Sequence, residues 1–172
     1  MPGSLNGPYH RDLEGRGAEV AVRRILLALL TAFVVAGLLS VFGQTTAIST
    51  AGGAGATLSV QSPTSLRGGL VYQTKMTVQA PTAGIEAPKL VLSRGFMDGL
   101  TLNTLEPSPV DEKSVDGNLV LSFPPQEPGD LLTVWLDYQV NPTTLGAQLQ
   151  RVTLRDGEKP IATTSRQVRF FP

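Results

Sequence analysis

Leu70-Val71-Tyr72-Gln73-Thr74-Lys75-Met76-Thr77-Val78-Gln79-Ala80 is the stretch on which the fold turns. Leu70, Tyr72, Thr74, Met76, Val78 and Ala80 fall on one face, and Gln73, Lys75, Thr77 and Gln79 on the other. A period of two held over that length predicts a strand with one buried and one wet side. Pro81 and Gly84 end it.

The same grammar spreads in both directions. Upstream, Leu58 and Val60 alternate with Ser59 before Pro63. Downstream come Leu90 to Leu92, Leu100 to Leu105, and Asn118 to Phe123. Leu132, Val134, Leu136, Tyr138 and Val140 then alternate with Thr133, Trp135, Asp137, Gln139 and Asn141. Leu145 to Leu154 and Ile161 to Phe171 pair across Arg155-Asp156-Gly157-Glu158-Lys159-Pro160. Pro107 and Pro109 predict an extended, solvated loop through Asp111, Glu112 and Lys113. Seven or eight short strands, spaced by Gly, Pro and Asp turns and lacking an amphipathic helix, predict one all-β antiparallel sandwich over residues 57–172.

Leu66-Arg67-Gly68-Gly69-Leu70-Val71-Tyr72-Gln73-Thr74-Lys75-Met76-Thr77-Val78 resembles the second strand of the immunoglobulin-like domains common on bacterial exported proteins. There a glycine turn precedes an alternating Y-x-T-x-x-V run. The likeness covers about a dozen residues. It implies an immunoglobulin-like sandwich and a role in adhesion, spacing or partner binding, with no catalytic residue to carry over.

Ahead of the strands, Ile25 to Phe42 holds no charged residue, and it is long enough to span roughly 30 Å of hydrocarbon. Arg23 and Arg24 precede it and the next basic residue after it is Arg67, so the positive-inside rule puts the N-terminus in the cytoplasm and the strands outside. We read residues 1–24 as a flexible tail, 25–43 as a transmembrane helix and 44–56, rich in Gly and Ala, as a tether. A cleaved signal peptide is the competing reading, with Thr45-Thr46-Ala47 or Ser49-Thr50-Ala51 as the small-x-small site. Ala28, Ala32, Ala36 and Ser40 form a small-residue stripe at spacing four, compatible with helix association.

Composition narrows the chemistry. The 172 residues include no cysteine, which removes disulfides, thiolate catalysis, cysteine-ligated metals and lipidation through cysteine. Fourteen basic residues balance fourteen acidic ones, so no net field points to nucleic acid. The one histidine, His10, lies in the tail, leaving the strands without a histidine triad or histidine metal ligand. Asp98, Asp116 and Asp156 each precede glycine and Asp130 follows one, which is turn chemistry. Asp111, Glu112 and Asp116 lack the alternating spacing of a calcium loop. No phosphate-binding loop is present, and Asn141-Pro142-Thr143 is blocked as a glycosylation site by its proline.

These exclusions leave a non-enzymatic module without cofactor or metal, anchored in the membrane. It is expected to bind or support another envelope or membrane protein. The candidate surface is Trp135, Asp137, Gln139 and Asn141, which share the face opposite the core side of their strand; the competing reading inverts the register and puts Trp135 in the core, or packs this face beneath a loop. The same side chains suit a cell-wall polysaccharide, through ring stacking and hydrogen bonding, as the alternative ligand. A further segment, Arg94 to Pro107, has two readings: a structural one, in which Phe96 plugs the end of the core and Asn103 satisfies backbone groups at a strand crossing, and a binding one, in which Thr101, Asn103 and Glu106 line a partner-facing edge.

Overall fold

The computed structural model describes residues 16–38 and 45–172. Two units result, the first helical and the second a β-sandwich.

The helix, α1, runs Arg16–Leu38. It starts nine residues earlier than the expected span, so 16–24 is helical rather than a flexible tail. Ala18, Val20, Ala21, Val22, Arg23 and Arg24 tolerate or favour helix, and Glu19 in the first turn meets the positive end of the helix dipole. Residues 1–15 of the expected tail and 39–43 of the expected span lie outside the described residues. Ala18–Leu38 contains an 18-residue window of mean hydropathy 2.0, so the helix is long and apolar enough to cross a membrane. Leu26, Leu30 and Phe33 are exposed, so the helix presents apolar side chains outward rather than a polar face.

The second unit has eleven strands among the described residues. Five form one sheet: β1 (Thr46–Gly53), β2 (Ala56–Pro63), β4 (Val71–Gln79), β9 (Leu131–Val140) and β6 (Leu100–Glu106), in that spatial order. Six form the other: β3 (Ser65–Arg67), β11 (Lys159–Phe171), β10 (Gly146–Asp156), β5 (Pro88–Leu92), β8 (Asn118–Ser122) and β7 (Asp111–Val115). The chain leaves the first sheet at Pro63 and joins the second at Ser65, where β3 pairs parallel with β11; every other pairing is antiparallel. This is an immunoglobulin-like antiparallel sandwich preceded by one apolar helix.

The eight strands expected from alternation are present, and three more extend the sheets. Strand β1 occupies most of the expected tether. Its register with β2 runs from Thr46↔Pro63 to Gly53↔Ala56 without a break. A tight hairpin makes this possible: Ala54 (φ 48°) and Gly55 (φ 81°) both sit in the left-handed region, the two-residue turn whose twist matches paired strands. The small residues of β1 serve close packing, because a Cβ at Gly53 would run into the Ile161 carbonyl on β11. Strand β7 replaces the expected solvated loop at Asp111, Glu112 and Lys113; all five of its residues are exposed, which is why no alternation marks it. It closes on β8 through Asp116 (φ 52°) and Gly117 (φ 76°), the same turn geometry. The third, β3, is too short to show a period.

The core lies between the inward faces. Leu58, Met76, Val78, Leu136 and Tyr138 from one sheet meet Leu90, Leu92, Leu121, Leu154 and Val168 from the other, each at most 2% exposed. A four-residue helix, α2 (Arg94–Met97), turns Phe96 inward, where it meets Tyr138 edge-on at 6.2 Å between ring centroids. That is the expected end plug. Asn103, by contrast, sits exposed at the bulge between Leu102 and Thr104 rather than at a buried crossing.

Candidate functional site

Strand β9 is the centre of the site. Its inward side chains include Val134, Leu136, Tyr138 and Val140, all 2% exposed or less. Period-two geometry therefore turns Trp135, Asp137 and Gln139 outward, with Asn141 just past the strand end. Trp135 is 38% exposed, so it is a surface residue and not part of the core.

Cross-strand register extends this face. Ile48 pairs with Gln61, Gln61 with Lys75, Lys75 with Trp135, and Trp135 with Glu106. One row thus crosses all five strands. The next row holds Gln73, Asp137 and Thr104. Lys75 Nζ lies 5.0 Å from the centroid of the Trp135 ring, a cation–π contact that pins both side chains. Gln73 Nε2 donates to Asp137 Oδ1 at 2.8 Å, fixing that carboxylate beside the indole.

Two shallow concavities flank Trp135. One, about 290 Å³, is lined by Gln73, Thr104, Glu106, Trp135 and Asp137. The other, about 250 Å³, is lined by Thr46, Gln61, Gln73, Lys75 and Trp135. Trp135 and Asp137 are therefore brought together. Gln139 and Asn141 lie further along: Gln139 Nε2 donates to the Gly69 carbonyl (3.1 Å), and Asn141 Oδ1 accepts from Thr101 Oγ1 (3.2 Å). Lys75, Gln73 and Glu106 complete the face; sequence marks Glu106 only on the Arg94–Pro107 segment and does not join any of the three to Trp135, because strand partners far apart in the chain are set by register alone.

The carboxylates expected in turns are in turns. Asp156 Oδ1 accepts the Ala87 amide (2.8 Å) and Asp130 Oδ2 the Glu127 amide (2.9 Å). Among the described residues no three of His, Asp and Glu converge as metal ligands. Glu106 and Asp137 share the first concavity, which is open to solvent and lacks the water exclusion that strengthens charge stabilisation in an enzyme site.

A second polar cluster lies inside the sandwich. Arg166 on β11 reaches across to the β1–β2 hairpin, donating to the Ala47 carbonyl (3.0 Å), the Pro63 carbonyl (2.6 Å) and Ser62 Oγ. Burial lowers its pKa, with nearby Tyr138 acting in the opposite sense. Opposite it in register stands Gln150, 2% exposed. Sequence alternation marks position 166 as inward, but nothing local says what a buried guanidinium will hold.

No family model matches the chain, and no curated protein matches it. Solved structures give sandwich likenesses. A CARDB domain from Pyrococcus furiosus, solved with two metal ions, shares 10% identity over 64% of this chain and 87% of its own, at a TM-score of 0.42. A non-cellulosomal cohesin from Archaeoglobus fulgidus shares 12% over 64% and 88%, at 0.40. The human F-spondin reeler domain shares 12% over 63% and 82%, at 0.39. These likenesses concern the fold alone.

Proposed function

We propose that this chain is a membrane-anchored, non-enzymatic module that binds another envelope or membrane protein through the outward face of its five-stranded sheet. The observation that carries the reading is Trp135, exposed within a row that sets Lys75 on one side and Glu106 on the other. Tryptophan flanked by both charge signs is the composition of a protein-binding centre, where an aromatic anchor is ringed by polar contacts. Lys75 standing over the indole favours a protein over a sugar, because a sugar ring needs that aromatic face clear.

The anchored reading gains support from β1. Cleavage after Ala51 would remove most of that strand, and cleavage after Ala47 would cut where Arg166 holds the hairpin. The proposed orientation keeps the N-terminus cytoplasmic, since Arg23 and Arg24 lie at the helix's N-terminal side.

Polysaccharide binding is the second reading, favoured by Gln73, Asp137 and Thr104 beside the indole. Lysine-directed crosslinking in intact membranes separates the two. The wild-type chain should yield a defined protein adduct that Trp135→Ala abolishes, while purified wall polysaccharide should not retain the chain. Retention by polysaccharide that depends on Trp135, with no protein adduct, would replace the first reading with the second.

A further inference from the structure

A sheet edge exposes a row of unpaired amides and carbonyls, and folded proteins guard such edges with charge, bulges, proline or shortness. Three of the four edges here are guarded. Strand β3 is three residues long. Strand β7 carries Asp111, Glu112 and Lys113. Strand β6 is bulged between Leu102 and Thr104.

Strand β1, Thr-Ala-Ile-Ser-Thr-Ala-Gly-Gly, has no charge, no proline and no bulge over eight residues. The Thr64 amide donates to the Thr45 carbonyl at 2.9 Å. Alternation from that bond turns the backbone groups of Thr46, Ile48, Thr50 and Gly52 to the open side. Ile48, 66% exposed, stands on this strand.

We propose that β1 is a self-association edge, pairing antiparallel with β1 of a second copy about a twofold axis at Ser49. The strand is complementary to itself in that register. Ile48 meets Thr50 of the other copy, Thr46 meets Gly52, and no like charges face one another. A second copy fits better than a foreign segment for a further reason. Only residues 39–45 separate the end of α1 from β1, at most about 25 Å of extended chain. Copies held in one bilayer therefore carry their β1 edges at high local concentration. This step rests on the anchored reading given above. Strand pairing alone buries less than the roughly 1,200–2,000 Å² of a stable interface in solution, so confinement matters. Ala28, Ala32 and Ala36, at spacing four on α1, allow close helix approach in the same pair. A twofold normal to the sheet keeps both outward faces on one side. The pair presents two Trp135 rows, seven strand spacings or about 34 Å apart, on one ten-stranded sheet.

The absence of cysteine makes the test specific. In the full chain in native membranes, Ser49→Cys places two thiols on the axis, where Cα atoms of a non-hydrogen-bonded pair lie about 4.5 Å apart. Oxidation should give a disulfide dimer as the main product. Thr46→Cys, about 20 Å from its own symmetry mate, should stay monomeric. Adding Thr50→Lys to Ser49→Cys should abolish the dimer while leaving thermal unfolding within about 2 °C, since Thr50 points outward and its amide faces the open edge. Equal crosslinking from positions 46 and 49, an unaltered dimer with Thr50→Lys, or an adduct to a different protein at position 49 would each overturn the proposal. Alkaline extraction in parallel distinguishes the two readings. A released chain that still crosslinks at Ser49 refutes the anchor only, and an embedded chain that does not refutes the pairing only.

Discussion

Gly52 and Gly53 are neighbours in sequence with opposite surroundings, and substituting each by alanine tests whether this segment belongs to the fold. A Cβ at Gly52 would have the Ala56 carbonyl at 3.7 Å, an ordinary contact. A Cβ at Gly53 would collide with the backbone carbonyl of Ile161, which cannot rotate away as a side chain would. Neither glycine has a positive φ, so alanine meets no conformational penalty at either position. Gly52→Ala should therefore be neutral or stabilising by up to about 1 kcal/mol, through lost freedom in the unfolded chain. Gly53→Ala must lift β1 from β11 by about an ångström, and overpacking of that kind costs about 1–3 kcal/mol. The lifted strand also strains the Arg166 bond to the Ala47 carbonyl, which places the expectation near the upper end, at about 2–3 kcal/mol. For a domain of this size that is a fall in Tm of roughly 8–12 °C. The assay is urea or thermal unfolding of the full chain in detergent, followed by fluorescence of the single tryptophan. Equal and negligible effects at the two positions would refute the argument, since a tether has nothing for either Cβ to strike.

Three further outcomes are expected. Phe96→Ala should cost about 3–5 kcal/mol in urea unfolding, because the ring is 1% exposed and packs edge-on against Tyr138. Trp135→Ala should change stability by less than about 1 kcal/mol, the scale of an exposed cation–π contact, while removing partner capture. Burial raises the Tyr138 pKa above its ordinary 10.0, only partly offset by the hydrogen bond from Thr74. The unfolded chain then loses this proton first as pH rises, so stability is full below about pH 10 and falls through the folded-state value above it. Tyr138→Phe should flatten that alkaline fall in a pH series of unfolding midpoints.

How much of this was legible in the sequence depended on how far apart the deciding atoms lie. The alternation at Leu70–Ala80 and at Leu132–Val140 reports inward and outward faces directly, because burial of one side is a local property of each strand. Alternation leaves two registers open for Leu131–Val140, and the structure takes the one that turns Trp135, Asp137 and Gln139 outward. Strand β1 was hidden because its inward residues, Ala47, Ser49, Ala51 and Gly53, are small for a reason that sits on β11, more than a hundred residues away. Its turn was hidden as well. Asp116-Gly117 announces a left-handed pair, whereas Ala54-Gly55 adopts the same geometry with a residue that rarely does so. Strand β7 was obscured by its charges, which belong on an exposed edge. In the binding face, Lys75, Gln73 and Glu106 join Trp135 only through register, and register with β4 and β6 is set by the whole sheet rather than by any one strand.

The most direct test of the binding face is a photo-crosslinking probe placed in turn on each outward surface of the sandwich in intact membranes. Position 61, next to Lys75 in the Trp135 row, reports the five-stranded sheet; position 153, paired with Val91 and Thr163, reports the six-stranded one. A discrete protein adduct is expected from Gln61, lost with Trp135→Ala, and none from Thr153. Adducts from Thr153 alone, or from both positions regardless of Trp135, would contradict the proposed binding face.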